Sequence, residues 1–382
     1  MDFDLSEEQQ LLKNTVDRLI ETRSGFEQRR AAAGTALGWS PELWRQFAEL
    51  GLLALPFDPD QGGLGGGGVE MMTLLEAFGR GLVIEPFLAT VVLAGGALRL
   101  GAHPALLESL VPEIAGGTLL LAYAHGEPQS RDRLVDVTAT ARPRGAGWVL
   151  DGTKTLVLHG DCADRLVVSA RVGGGRREPA GIGLFLVDAA ADGVERRGYR
   201  LQDGMCAADI RLDGVTVGVE DVIGEPGQAF PIIERVNQLG IAAVAAEAVG
   251  IMAELLTLTT EYLKTREQFG GPIGRFQALQ HRAAEMLMAL EQARSMAMYA
   301  ALTIDEPDPV ARRKALSAVK LQVGKSGRFV GQQAIQLHGG IGVTLEYKVG
   351  HYFKRLSMIE AMFGDSQHHL AQLARDGGFI AA

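Results

Sequence analysis

The spacing of apolar residues changes twice along this chain, and the two changes restrict it to a mainly helical fold with a β segment in the middle. Up to about residue 115 apolar positions recur at helical spacing. Ser6 with Gln9 three residues on fits a capping box, and Leu11, Leu12, Val16, Leu19 and Ile20 follow along one helix. Ser40-Pro41 reads as an N-cap with proline at the first helical position, and Gly51 stops that helix. The glycine-dense stretch 62–68 reads as a flexible surface loop. Between about 117 and 225 the apolar runs shorten, as in Leu119 to Tyr123, Trp148 to Leu150, Arg165 to Ala170 and Ile182 to Val187. Gly, Asp and Pro bound them, the pattern of an antiparallel β domain. From Phe230 helical spacing returns, to about Lys264, then from Phe276, then from Asp308 to Leu337, with a last pair after Thr344. Four long apolar-faced helices with short connections predict a bundle. The expected division is an N-terminal α-helical domain over 1–116, a middle β domain over 117–227 and a C-terminal four-helix bundle over 228–382.

Composition narrows the function classes. The chain has 382 residues, 47% apolar and 22% charged, enough for two or three packed layers. A net charge of −9 and the lack of a dense Lys/Arg cluster argue against nucleic acid, so an anionic ligand needs a local positive site. Cys162 and Cys206 make neither a disulfide framework nor metal-ligand spacing, and read as reduced thiols of a cytoplasmic protein. The adjacent His368 and His369 would point about 100° apart on a helix, a poor metal pair. The acidic N-terminus lacks a signal-peptide pattern, and no uninterrupted apolar run of about 18 residues predicts a membrane span.

Three short segments carry candidate chemistry. In Arg266-Glu267-Gln268-Phe269-Gly270, followed by Phe276-Gln277, Arg266 offers a fixed positive fork suited to phosphate. Gln268 and Gln336 offer both donors and acceptors, which suits ribose, adenine or flavin edges. Gly339 and Gly340 let backbone approach a ligand without a Cβ between.

In this order and spacing the segments resemble the acyl-CoA dehydrogenase family of flavoproteins. The resemblance runs over nearly the whole chain. It includes Leu5-Ser6-Glu7-Glu8-Gln9, Pro56 with Asp60 to Gly65, and Trp148 to Lys154 followed by Ala163-Asp164. It implies FAD held by Arg266, Gln268, Phe269, Phe276, Gln277, Gln336, Gly339, Gly340 and Gln367. It also implies an acyl-CoA substrate and electron-transfer flavoprotein as acceptor. The reaction it implies removes a proton from the carbon α to a thioester carbonyl while the β carbon gives a hydride to the flavin. A carboxylate must take that proton.

Here the chain departs from the pattern. At the family's C-terminal base position, Met362-Phe363-Gly364-Asp365-Ser366-Gln367 places Phe363 where a Glu is expected. At the second family position, counting back from Arg266 reaches Gly240, with Ile241 in place of an Arg. Glu247 is the remaining candidate base, two turns from Gly240 on the same face and displaced about 10 Å along the axis. It reads either as a shifted base or as an interior carboxylate paired with Arg or Lys. Glu360 reads as a surface charge. In Tyr123-Ala-His125-Gly126-Glu127-Pro128, Gly126 replaces a flavin-contacting Thr, and Leu156 and Leu158 replace an aromatic residue and a Thr. His125 and His159 read as satisfied polar residues.

The resemblance further implies that each flavin is shared across a subunit interface, Arg266, Gln268 and Phe269 coming from one subunit and Gln336, Gly339 and Gly340 from its neighbour. The chain resembles the small subunits of two-component acyl-CoA dehydrogenases, of the pimeloyl-CoA and sterol side-chain types. A heteromer can keep one complete site and let another decay. Two alternatives stand beside a base-lacking subunit with a larger partner: a self-sufficient dehydrogenase using Glu247, and a non-catalytic flavin-binding or scaffold module.

Overall fold

The computed structural model describes residues 5–377; the first four residues of the acidic N-terminus and the last five of the C-terminal segment lie outside them. Helix α1 (Glu7–Arg23) starts at the expected capping box. Ser6 Oγ accepts from the Gln9 amide at 3.2 Å and Gln9 Oε1 accepts from the Ser6 amide at 2.9 Å. Helix α2 (Phe26–Ala33) follows, then α3 (Pro41–Glu49), capped by Ser40 with its proline in the first turn and burying Leu43, Trp44 and Phe47. The glycine-dense stretch after it is a surface loop whose backbone is hydrogen-bonded to the segment before it. Gly65 and Gly66 donate to the Phe57 and Leu55 carbonyls at 2.8 and 2.7 Å, and a Cβ on Gly63 would collide with the Phe57 carbonyl. At Gly63 backbone packs on backbone, and only glycine leaves the room.

Helix α4 (Gly68–Gly81) precedes a buried π-helical turn over Leu88–Ala94, then α5 (Gly95–Gly101) and α6 (Pro104–Ala115). The strands are β1 (Leu121–Ala124), β2 (Thr140–Arg144), β3 (Gly147–Leu158), β4 (Arg165–Arg171), β5 (Ile182–Asp188), β6 (Val194–Arg200), β7 (Cys206–Val217) and β8 (Val222–Ile223). They lie in the order β6-β7-β3-β2-β4-β5-β8, with β1 beside β4. The sheet is mixed rather than purely antiparallel. β1 pairs parallel to β4, from Leu121 opposite Arg165 to Ala124 opposite Val168, and β2 touches β4 in parallel at Thr140 opposite Arg171. A forty-residue excursion separates β1 from β4, long enough for the crossover a parallel pair requires. Leu150, Val157, Leu166, Val168, Phe185, Val187, Ile210 and Leu212 form the apolar core of the sheet.

The C-terminal helices begin with α7 (Phe230–Thr265). A hairpin of β9 (Glu267–Gln268) and β10 (Gly271–Pro272) leads to α8 (Gln277–Thr303), α9 (Pro309–His338), α10 (Lys348–Ala361) and α11 (Ser366–Arg375). By length and composition α7 is apolar enough to cross a membrane, though Glu247 and Glu254 interrupt it, and 72% of its apolar window is buried inside the protein. That is the burial of a core helix. Gly79 of α4 and Gly250 of α7 let these two helices cross backbone to backbone, since a Cβ on either would overlap a carbonyl of the other helix. By compactness the chain forms two units, one of Met1–Ala31, Gly67–Val83 and Ile241–Ala382, the other of Ala32–Gly66 and Ile84–Gly240.

Candidate functional site

Helix α7 ends where the Arg266 amide donates to the Tyr262 carbonyl at 2.8 Å. The chain then folds into the β9–β10 hairpin through Phe269 at φ 55° and Gly270 at φ 84°. Two successive residues at positive φ give the tight turn whose twist matches an antiparallel pair. The Arg275 guanidinium grips the Phe269 and Gly270 carbonyls from below. Arg266 and Gln268 are exposed, and Phe269 is 81% exposed, touching Phe276 edge-on at 5.9 Å. A benzyl side chain held in the left-handed region and out in water is unfavourable on both counts. Phe276 caps α8 and Gln277 opens it, both exposed.

Gln336 lies exposed in the last turn of α9, which Gly339 ends at φ 61°. A Cβ on Gly339 or Gly340 would meet nothing within 4 Å, so this backbone is open to a ligand. The Tyr262 ring lies 4.6 Å from the buried His338 ring, and the Tyr347 ring lies 5.2 Å from it. Tyr262 stands four residues before Arg266 and His338 directly precedes Gly339. Both segments therefore gather at one end of a single chain's helices. Gln367 is exposed in the first turn of α11.

The two positions expected to hold the base carry Phe363 and Gly240, neither of them a carboxylate. Phe363 sits at φ 57° and Gly364 at φ 91°. Buried Lys320 donates to the Glu360 and Gly364 carbonyls at 3.0 and 2.8 Å, and His369 Nε2 donates to the Phe363 carbonyl at 2.9 Å. Burial pushes the His369 imidazole down to about 4, so it stays neutral at ordinary pH. Gly240 and Ile241 are buried on α7. Glu247 is gripped bidentately by Arg355, Nε to Oε1 at 2.6 Å and the terminal nitrogen to Oε2 at 2.7 Å, with both side chains under 10% exposed. Glu360 is not the surface charge expected. It is 8% exposed, because the start of α11 folds over it and Oε1 accepts from Arg328 and the Ser366 amide at 3.0 and 3.1 Å.

In the sheet, Glu127 receives buried Lys154 at 2.7 Å and the Ala139 and Thr138 amides at 3.1 and 2.8 Å. Burial alone would raise the Glu127 carboxyl. The Lys154 charge and the bonds from Lys154, Thr138 and Gln129 overturn that and hold it at about 2. Lys154 also donates to Ser169 Oγ at 3.0 Å, and His125 Nδ1 meets the same hydroxyl at 2.9 Å. Burial, aided by the Lys154 charge, pushes His125 down to about 3. Leu156 is 50% exposed at φ 54°, and Leu158 is buried. Sequence reasoning missed Arg355, Lys320 and the Lys154–Glu127 pair. Only burial of a charge within apolar neighbours hinted at Glu247, and its partner lies 108 residues away.

Three family models match consecutive stretches: the N-terminal domain of acyl-CoA dehydrogenase over residues 6–118, the middle domain over 122–215 and the C-terminal domain over 232–377. This chain belongs to the acyl-CoA dehydrogenase family. It is an oxidoreductase of the class acting on CH–CH donors, with FAD as the family cofactor. Acyl-CoA dehydrogenase FadE27 of Mycobacterium tuberculosis is 28% identical over 98% of each chain. The mitochondrial short-chain specific acyl-CoA dehydrogenase of Rattus norvegicus is 27% identical over 85% of this chain and 79% of that one. Among solved structures, a variant of the Tcur3481-Tcur3483 steroid ACAD superposes with a TM-score of 0.87 at 29% identity, covering 97% of each chain. A chain of the ChsE4-ChsE5 complex from M. tuberculosis superposes at 0.89 and 26% identity over the full length of both. The donor set fits the adenosine diphosphate half of FAD: an exposed guanidinium, exposed carboxamides and an open diglycine backbone. Gly126, Leu156 and Leu158 offer no side-chain hydrogen bond to a flavin ring.

Proposed function

We propose that this chain is the small, base-lacking subunit of a heteromeric, FAD-dependent acyl-CoA dehydrogenase that introduces an α,β double bond into a CoA thioester. The observation that carries the reading is Phe363, fixed by Lys320 and His369 on either side of its turn, at the position of the family base. A phenyl ring accepts no proton. Glu247 does not replace it, because both of its oxygens already accept from the Arg355 guanidinium, which leaves neither placed to take a substrate proton. A larger homologous subunit supplies the base. The similarity to chains of two-component assemblies, ChsE4-ChsE5 and Tcur3481-Tcur3483, supports the same division of labour.

In this proposal Arg266 neutralises FAD phosphate, Gln268 and Gln336 bond its polar edges, Phe269 and Phe276 cover it, and Gly339-Gly340 give it room, Gln277 and Gln367 flanking. The hairpin and the diglycine come to one flavin from two different subunits. When bound, FAD supplies the hydride acceptor for the bond being oxidised. The three segments 1–116, 117–227 and 228–382 act as the family's helical, β and bundle domains, in the cytoplasm. Electron-transfer flavoprotein is the acceptor, as the similarity to the caffeyl-CoA reductase-Etf complex subunit CarC suggests.

Co-expression with a larger homologue carrying an intact base, followed by an acyl-CoA panel, tests the reading. The chain alone should bleach flavin with acyl-CoA at least roughly 10²-fold more slowly than the complex, the lower end of what general-base catalysis supplies. Arg266→Ala should lower the flavin content of the complex. Fast bleaching by the isolated chain that is lost in Glu247→Gln would overturn it in favour of a self-sufficient enzyme. A complex that stays colourless would leave only a scaffold.

A further inference from the structure

The turn after β3 brings together metal-binding side chains for which the proposed reaction has no use. His159 follows the last residue of β3, Asp161 lies two residues on, and Cys206 opens β7 beside them. The His159 amide donates to the Cys206 carbonyl at 3.0 Å, which docks the turn on the strand. An imidazole nitrogen, a carboxylate oxygen and the thiol sulfur all lie within 4.8 Å of one another. A tetrahedral zinc-class ion with bonds of about 2.0–2.3 Å needs ligand atoms roughly 3.3–3.8 Å apart, so small side-chain rotations close the set.

The surroundings are built to hold this arrangement. The Arg196 guanidinium takes the carbonyls of Gly160, Asp161 and Ala163 at 3.3, 3.3 and 2.9 Å and so fixes the turn. Gly198 leaves room for Asp161, since a Cβ there would lie 2.9 Å from the Asp161 Cβ. His159 is held at φ 51°, where a non-glycine residue persists only if its surroundings compel it. Asp161 Oδ1 is buried and has no hydrogen-bond partner among the described residues. A buried carboxylate oxygen left so is unfavourable unless a cation meets it.

We propose that His159, Asp161 and Cys206 form a binding site for one thiophilic divalent cation of the zinc class. Nitrogen, sulfur and one carboxylate oxygen are a zinc donor set, whereas magnesium and calcium take oxygen. On binding, the Cys206 S–H proton leaves for solvent and the thiolate ligates. The dication then balances one thiolate and one carboxylate, so the neighbouring Arg200 meets no excess positive charge. Arg200, which already donates to the Cys206 sulfur and to the Thr35 and Ala36 carbonyls, becomes the outer hydrogen-bond donor to the bound thiolate. Water takes the fourth position.

The test uses the full chain, stripped with a chelator and desalted, and measures retention of added Zn²⁺ by elemental analysis. Added Co²⁺ serves as a spectroscopic probe, read as the sulfur-to-cobalt charge-transfer band in a difference spectrum. Wild type should retain one zinc per chain and show the band. Cys162→Ser should behave like wild type. His159→Asn and Cys206→Ser should bind at least about 100-fold more weakly, beyond the roughly 10–100-fold that outer partners are worth. Asparagine tolerates the left-handed region, so His159→Asn keeps the turn even if Cys206→Ser does not fold. Wild type that retains no zinc would overturn the site. So would zinc binding unchanged in both variants, or a band lost only with Cys162.

Discussion

Single residues show how one charge type serves opposite ends. Glu247 stands among Ala and Val on a buried helix face, where an unpaired carboxylate would be costly, and the bidentate Arg355 makes it tolerable. Breaking such a pair strands the other charge, so Arg355→Met should cost about 3–5 kcal/mol in urea unfolding. The double change Glu247→Gln with Arg355→Met should cost much less than the single one, since no lone charge remains. His369 gives a pH signature. Burial holds it neutral down to about 4, below its ordinary 6.5. Below 6.5 the unfolded chain takes up a proton that the fold refuses, so stability is full above 6.5 and falls as pH drops towards 4. The slope is about 1.4 kcal/mol per pH unit. His369→Gln should flatten that part of the stability–pH curve; an unchanged slope would assign it elsewhere.

At the scale of elements, glycine placement decides how helices meet. The α4–α7 crossing depends on Gly79 and Gly250, each facing a carbonyl with no room for a methyl group. Gly250→Ala should therefore destabilise by roughly 1–3 kcal/mol through overpacking, seen as a lower denaturation midpoint at unchanged m-value. Helix propensity alone would have that substitution stabilise by up to about 1 kcal/mol. The β9–β10 hairpin, by contrast, trades stability for exposure. It projects Phe269 into water on a turn whose Gly270 meets nothing within 4 Å of a built Cβ.

For the whole molecule, the proposal makes that exposed aromatic and the open diglycine a surface that is complete only with another chain. In solution with FAD, the protein should sediment as a dimer or larger assembly, with itself or with the larger homologue, at micromolar concentration. Monomers retaining FAD would contradict flavin sharing. Phe269→Ser should weaken assembly and flavin retention together while leaving the thermal midpoint of the isolated chain nearly unchanged, because the ring contributes little to the fold.

Much of this protein was legible in its residues. Local rules set where elements begin: Ser6 with Gln9 starts α1, Ser40-Pro41 starts α3, Asp308-Pro309 starts α9, and the short apolar runs become β3, β4 and β5. Capping and periodicity act over a few residues, and a sequence displays them directly. That residue 363 carries a phenyl ring and no carboxylate was equally plain, since chemistry is a property of the side chain. Tertiary structure alone decided the partners of charges. It joined Glu247 to Arg355, Lys154 to Glu127 and Arg328 to Glu360, buried Glu360 under α11, packed Gly63 on the Phe57 carbonyl, and turned β1 parallel to β4. The physical reason is range. A hydrogen bond or a backbone contact between residues tens of positions apart leaves no local pattern, and whether a charge is buried depends on what the rest of the chain brings over it.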